Sequence, residues 1–285
     1  MINQVSFLGF GEAAQRIGAA HQWQASIRAY DAKTRDPNER AHKLVDYEKA
    51  GVQWHETAGE AVDGAEIVIS LVSPDEAIIC ASSVVRHVLP ESWYFDMNSA
   101  SPKSKKSAAR ELEMAGVKYV DVAIASPVEI DALSVPLLIS GPHAKNAASA
   151  LSSIGFENVR VVGNQVGDAA AIQMIRQVAI LGFESITAEC LLAAKASGLL
   201  TEVVASFGPN WLSDAEQRID QMLTRGTRNA EVLTEVCATL YDLGVNPYGS
   251  LSTTMRQREL GQAKVASNST TLDQKLESLT RKNGT

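Results

Sequence analysis

In the first half of the chain, short apolar runs alternate with polar, amphipathic stretches. Runs at 5–8, 26–30, 67–71, 93–96, 119–123, 136–140 and 158–162 have the length and the Val, Ile, Phe and Tyr content of strands. Stretches such as 74–88 and 103–115 lie between them and read as helices. The pairs Ser73-Pro74, Ser101-Pro102 and Gly141-Pro142 each put proline at a first helical turn, where its missing N–H costs nothing. Strands separated by helices predict an α/β fold with a mostly parallel, doubly wound sheet. Past Gly163 the character changes. One long helical pattern covers 167–198, with Ile172, Ile175, Ala179, Ile180, Phe183 and Ile186 recurring at three- and four-residue steps. Helical patterns follow at 201–207, 211–223, 230–243 and 249–266, and no strand signal returns. Residues 268–285 are polar and read as a marginal last helix or a frayed end. The pattern therefore predicts a sheet domain over 1–164 and an all-α domain over 165–285 built on the long helix. So small a helical domain cannot cover that helix without leaving an apolar patch, and a homodimer through it is expected.

Composition narrows the partners. The 285 residues are 45% apolar and 21% charged, the balance of a folded globular chain with length for a real core. A net charge of −7 argues against nucleic acid or an anionic membrane as a partner. Cys80, Cys190 and Cys237 are widely spaced and odd in number, so a reducing cytoplasm is expected rather than a disulfide framework. The N-terminus runs straight into the first strand, so no signal peptide is expected, and no apolar run looks long enough to span a bilayer. The five histidines show no metal spacing.

The chemistry is concentrated in QVSFLGFGEAA at residues 4–14, followed by a helical stretch, a second strand and Asp31. This is the strand, glycine turn, helix, strand, acid order of a dinucleotide-binding βαβ unit. Gly9 permits the tight turn, and Gly11 lets a pyrophosphate approach the backbone. The helix start at Glu12 and Ala13 offers N–H groups to phosphate. Ala14 stands where the third glycine usually sits, and its methyl still allows helix and strand to pack closely. Asp31, about twenty residues past Gly9, has the reach for a ribose 2′-hydroxyl and repels a 2′-phosphate, which favours NAD over NADP. Lys33 and Arg35 can hold a phosphate if Asp31 turns away.

With these elements in place, the chain resembles the β-hydroxyacid dehydrogenase superfamily, which includes 3-hydroxyisobutyrate and 6-phosphogluconate dehydrogenases. It is most similar to the phosphogluconate-dehydrogenase-like branch of unassigned substrate. Seven segments carry the resemblance in order: GFGEAA, SLVSP (70–74), DMNSASP (96–102), YVDVAIASP (119–127), VPLLISGP (135–142), the helix 167–189 and MRQREL (255–260). The resemblance implies a Rossmann-type cofactor domain binding NAD or NADP. Its cofactor contacts would come from Gly9, Phe10, Gly11, Glu12 and Ala13, from Asp31 and Lys33, from Leu71, Val72 and Ser73, and from Asn98 and Arg258. It implies substrate contacts from Ser99, Ala125 and Ser126.

Three departures from the family pattern bear on the chemistry. The family's catalytic lysine falls on Gln173, and its two asparagines on Arg176 and Gln177. Glutamine has no titratable proton and cannot serve as a general acid or base, but its amide can donate to a substrate oxygen. Ser126-Pro127 stands where two glycines are usual, and proline removes a backbone donor from an anion cradle. Arg258-Glu259 replaces a Lys-Asp pair. The expected activity is NAD(P)-dependent hydride transfer to or from a small hydroxyacid or related carbonyl or alcohol compound, with Gln173, Arg176 and Gln177 as the catalytic candidates. The alternatives are imine reduction on the same scaffold, and a cofactor-binding protein without redox chemistry.

Overall fold

The computed structural model describes residues 2–20, 23–126, 132–263 and 271–280. The chain divides into two compact units, Met1–Met174 and Ile175–Thr285. In the first unit, strands β1 (Gln4–Leu8), β2 (Ser26–Tyr30), β3 (Gln53–Trp54), β4 (Ile67–Ser70), β5 (Trp93–Asp96), β6 (Lys118–Ile124), β7 (Leu137–Ser140) and β8 (Val159–Val161) form one sheet in the order β3-β2-β1-β4-β5-β6-β7-β8. Every pairing is parallel except β6 with β7. The α-helices of this unit are α1 (Glu12–Gly18), α2 (Arg40–Ala50), α3 (Ala58–Val62), α4 (Ala77–Val84), α5 (Pro102–Met114) and α6 (Ala144–Ser153). The central strands are apolar on both sides, as a sheet covered on both faces requires. Val5, Phe7, Ile67, Ile69, Phe95, Val120 and Val122 pack into one core cluster, while Leu8, Val68, Tyr94 and Tyr119 pack into another. Strand order reverses between β1 and β4, the switch point at whose carboxyl end ligands of such sheets bind.

Two-residue β3 gives no apolar run in the sequence and was not expected from it. The stretch 74–88 begins as a 3-10 turn at Pro74–Glu76 before α4.

Helix α7 (Asp168–Ala196) begins in the first unit and continues into the second, so the division between units falls inside it. Its length and composition suffice to cross a bilayer, with a mean hydropathy of 1.4 over the most apolar window and 39% of that window buried. The expectation that no run is long enough is corrected on this point. The second unit continues with α8 (Leu200–Ser206), α9 (Trp211–Asp242), α10 (Tyr248–Gly261) and α11 (Leu272–Thr280). The two helices expected at 211–223 and 230–243 are a single helix, α9. Gly226, in mid-helix, is where α9 meets α10: a Cβ there would lie 2.3 Å from the Gln257 carbonyl oxygen. Gly261 mirrors it, with a Cβ position 2.3 Å from the Thr227 nitrogen. Helix α11 is held by buried Leu272, Leu276 and Leu279, which join Leu191, Ile219 and Met222 in one cluster.

Candidate functional site

Gly9 leaves β1 with φ +81°, a conformation that favours glycine, and its N–H donates to Tyr30 O at 2.8 Å. A Cβ on Gly9 would sit 2.4 Å from the Leu71 carbonyl oxygen. The two loops at the switch point are therefore in backbone contact. Gly11 differs. It opens α1 without a side-chain cap, and a Cβ there would meet nothing within 4 Å. That open space over an uncapped helix start is what a pyrophosphate needs, so the turn fits a dinucleotide. Glu12 is exposed and pairs with Arg16 at 2.8 Å. Ala13 is half-buried, and Ala14 is buried under the sheet.

Asp31 follows β2. Its Oδ2 accepts the Phe10 N–H at 2.8 Å and its Oδ1 accepts the Lys33 N–H at 2.9 Å. Lys33 and Arg35 are exposed, and Arg35 lies over the Tyr30 ring. Lys43 was not foreseen. From α2 its Nζ donates to Phe10 O at 2.6 Å and lies 3.2 Å from Asp46 and 3.7 Å from Asp31. The Phe10 ring stacks on Tyr47, whose phenol burial pushes up to about 12. The available signal was the four-residue spacing of Lys43 and Tyr47, which puts both on the inner face of α2.

Across the switch point, Val72 N–H donates to Asn98 Oδ1 at 2.7 Å, and Asn98 Nδ2 donates to Ser70 Oγ at 2.9 Å. Ser73 donates to Glu76. Asn98 is buried because Asp96 anchors it: Asp96 Oδ1 accepts the Asn98 N–H at 3.0 Å. Lys105 of α5, fully buried, donates to Asp96 Oδ1 at 2.8 Å and lies 3.5 Å from Asp121. Tyr119 donates to Asp96 Oδ2 at 2.6 Å, and burial holds its phenol well above the usual range. Asp121 Oδ2 accepts the N–H groups of Gly167 and Ala170, both at 3.0 Å, and so caps the start of α7. Lys105 also escaped sequence reasoning, although it shares the apolar stripe of α5 with Ala108, Ala109 and Leu112.

One turn along α7, Gln173 is 6% exposed, and its Nε2 donates to Ser99 Oγ at 3.2 Å. Its Oε1 is buried without a protein partner. Ala125 follows β6 with its N–H on Pro136 O, and Ser126 is exposed; Pro127 lies outside the described residues. Gly9, Phe10, Gly11, Asp31, Leu71, Val72, Asn98, Ser99 and Gln173 are thus linked by direct contacts around the carboxyl ends of β1, β4 and β5. Arg176, Gln177 and Arg258 belong to the second unit: Arg176 and Arg258 are exposed, Gln177 half-buried. The partner of Glu259 is Arg256. In that unit Glu184 Oε2 accepts Gln257 Nε2 at 2.6 Å, and burial raises the Glu184 carboxyl above its ordinary range. Among the described residues, no group of three His, Cys, Asp or Glu side chains could hold a metal ion.

The family model for the NAD binding domain of 6-phosphogluconate dehydrogenase matches residues 5–163. A conserved hypothetical protein from Sinorhizobium meliloti 1021 is 26% identical, with a TM-score of 0.72 over 99% of this chain and 97% of that one. Mycobacterium tuberculosis 3-hydroxyisobutyrate dehydrogenase, solved with L-serine, shares the fold with a TM-score of 0.70 at 16% identity over 100% of both chains. An imine reductase from Myxococcus stipitatus in complex with NADP+ has a TM-score of 0.56 at 18% identity, covering 90% of this chain and 93% of its own.

Proposed function

We propose that this chain, which belongs to the 6-phosphogluconate dehydrogenase family by its NAD-binding domain, transfers a hydride to or from a small hydroxyacid or a related carbonyl or alcohol compound. The bound nicotinamide supplies or takes the hydride. The observation that carries the reading is the Gln173–Ser99 pair, a buried amide on α7 that we propose stands where the family has its lysine. One N–H of Gln173 Nε2 is used by Ser99, and the other is available to polarise a substrate oxygen. Because the amide does not titrate, the proton is exchanged with water or comes with the substrate. Ser99, Ala125 and Ser126 are proposed to bind the substrate. Arg176 and Gln177, three and four positions past Gln173 on the same helix, are proposed to meet its acidic group. Gly9 to Ala13, Asp31, Lys33, Leu71 to Ser73, Asn98 and Arg258 are proposed to hold the cofactor, with NAD favoured by Asp31.

A second reading, imine reduction, draws support from the partnerless Gln173 Oε1. An acceptor there suits the N–H of an iminium ion, which arrives already protonated. A panel of hydroxyacids, ketones and cyclic imines, followed by nicotinamide absorbance, separates the two. Turnover on hydroxyacids alone supports the first reading. Turnover on imines alone replaces it, and cofactor binding without turnover on any class removes both.

The assembly is proposed to be a homodimer through the helical unit. On α7, Phe183 is 61% exposed and Ile186 68%, an apolar surface suited to a second copy of the chain.

A further inference from the structure

Phe10 is clamped from both sides of its peptide group. Its N–H is held by Asp31 Oδ2, and its carbonyl accepts Lys43 Nζ at 2.6 Å and Gln15 Nε2 at 3.2 Å. The ammonium of Lys43 is buried and shared by two carboxylates, Asp46 at 3.2 Å and Asp31 at 3.7 Å. Asp46 also accepts Gln15 Nε2. The charge presented behind the nucleotide turn is therefore that of two acids and one base, set in a wall made by the stacked rings of Phe10 and Tyr47.

We propose that Lys43 sets how strongly this protein discriminates between NAD and NADP. It acts through Asp31 and Phe10, as a positioning and specificity residue that does not itself touch the cofactor. The inference rests on reading the Gly9–Gly11 turn as the cofactor site. A carboxylate after β2 favours a ribose diol and repels a 2′-phosphate. With an ammonium 3.7 Å behind it, the field of Asp31 is partly cancelled in a site where solvent screens poorly. Asp31 is also fixed between the Phe10 and Lys33 N–H groups, so it orients toward one place. Exposed Lys33 and Arg35 lie on the same turn and add to the positive side. The balance gives modest discrimination that depends on a lysine outside the glycine motif.

The two cofactors differ only in the 2′-phosphate. Loosening of the turn lowers both affinities together, whereas a charge effect moves their ratio. The test is titration of the full chain with NADH and NADPH by nicotinamide fluorescence, for the native protein, Lys43→Met and Lys43→Arg. Lys43→Met is expected to disfavour NADPH relative to NADH by about ten-fold or more, because it removes the positive charge that offsets Asp31. Lys43→Arg should restore the ratio. Should Lys43→Met fail to fold, Asp46→Asn serves instead: it removes a competing acid and should move the ratio toward NADPH. An equal loss for both cofactors, or an unchanged ratio in Asp46→Asn, overturns the proposal. Binding of neither cofactor to the native protein overturns the parent reading, and this inference with it.

Discussion

Gln173 and Ser99, 74 positions apart in the chain, meet through a 3.2 Å hydrogen bond from amide to hydroxyl. The serine follows Asn98, whose N–H donates to Asp96, itself held by Lys105, and the glutamine lies in the first turns of a helix capped by Asp121. Buried hydrogen bonds and an ion pair thus hold the chain next to each partner. If the amide polarises the substrate, Gln173→Ala should lower turnover by roughly 10²-fold, as when one oxyanion donor is lost. Cofactor affinity should stay near native. Gln173→Lys should create or raise hydroxyacid oxidation, with a rate that climbs with pH as the lysine loses its proton. Steady-state kinetics across pH, with cofactor titrations alongside, decide the matter; native rates in the alanine variant would make the position structural.

The two glycines of the nucleotide turn should fail in different ways. Gly11→Val has room for its side chain, so it should fold and lose cofactor binding, because that room is the proposed pyrophosphate path. Gly9→Ala should lose stability instead. The backbone conformation alone costs about 1–3 kcal/mol, and the methyl meets the Leu71 carbonyl. Denaturant melts and calorimetric titration of both variants separate the effects, and a Gly11→Val protein with native affinity puts the cofactor elsewhere.

Much of this site is local in sequence and therefore legible. The strand, the two glycines and Asp31 lie within one βαβ unit, and their spacing alone predicts a nucleotide turn. Lys43 and Lys105 were hidden because a lysine in a polar helix reads as solvated unless its inward neighbours are weighed with it. The cap on α7 was hidden for another reason: Asp121 is 46 residues from Gly167, and no periodicity links a strand carboxylate to a distant helix start. The sequence pattern separates 211–223 from 230–243, whereas α9 runs through both, because close main-chain packing against α10 selects a glycine, Gly226, in mid-helix.

Glu184 should make stability fall with pH. Burial raises its folded-state pKa above the unfolded value; the Gln257 bond, Arg218 and Arg225 oppose this in part. Below the ordinary glutamate range both states hold the proton and nothing is lost. As pH rises the unfolded chain gives up its proton first, so stability declines until the folded-state pKa is passed and then levels off. Glu184→Gln should remove that component, making the variant gain relative to native as pH moves from acid to neutral. Urea melts at several pH values measure the difference, and a constant difference would falsify the assignment.

Assembly has a direct readout. Sedimentation at micromolar concentration should give about twice 30.5 kDa. Phe183→Glu, placing charge on the exposed apolar stretch of α7, should shift the population toward monomer. A native protein that sediments as a monomer means that these side chains serve another purpose.

The crossing of α9 and α10 bears on how this chain can change through descent. At Gly226 and Gly261 the obstructing atoms are main chain on both sides, so no change in a facing side chain makes room for a larger residue. Substitution at either position has no compensating partner. The pair can be lost only if the helices move apart, which would disturb the Glu184–Gln257 contact as well. Inheritance should therefore treat these two glycines as a single character, retained together wherever α9 and α10 cross in this way. Drift in the surrounding helices would leave that signature behind after overall identity has faded.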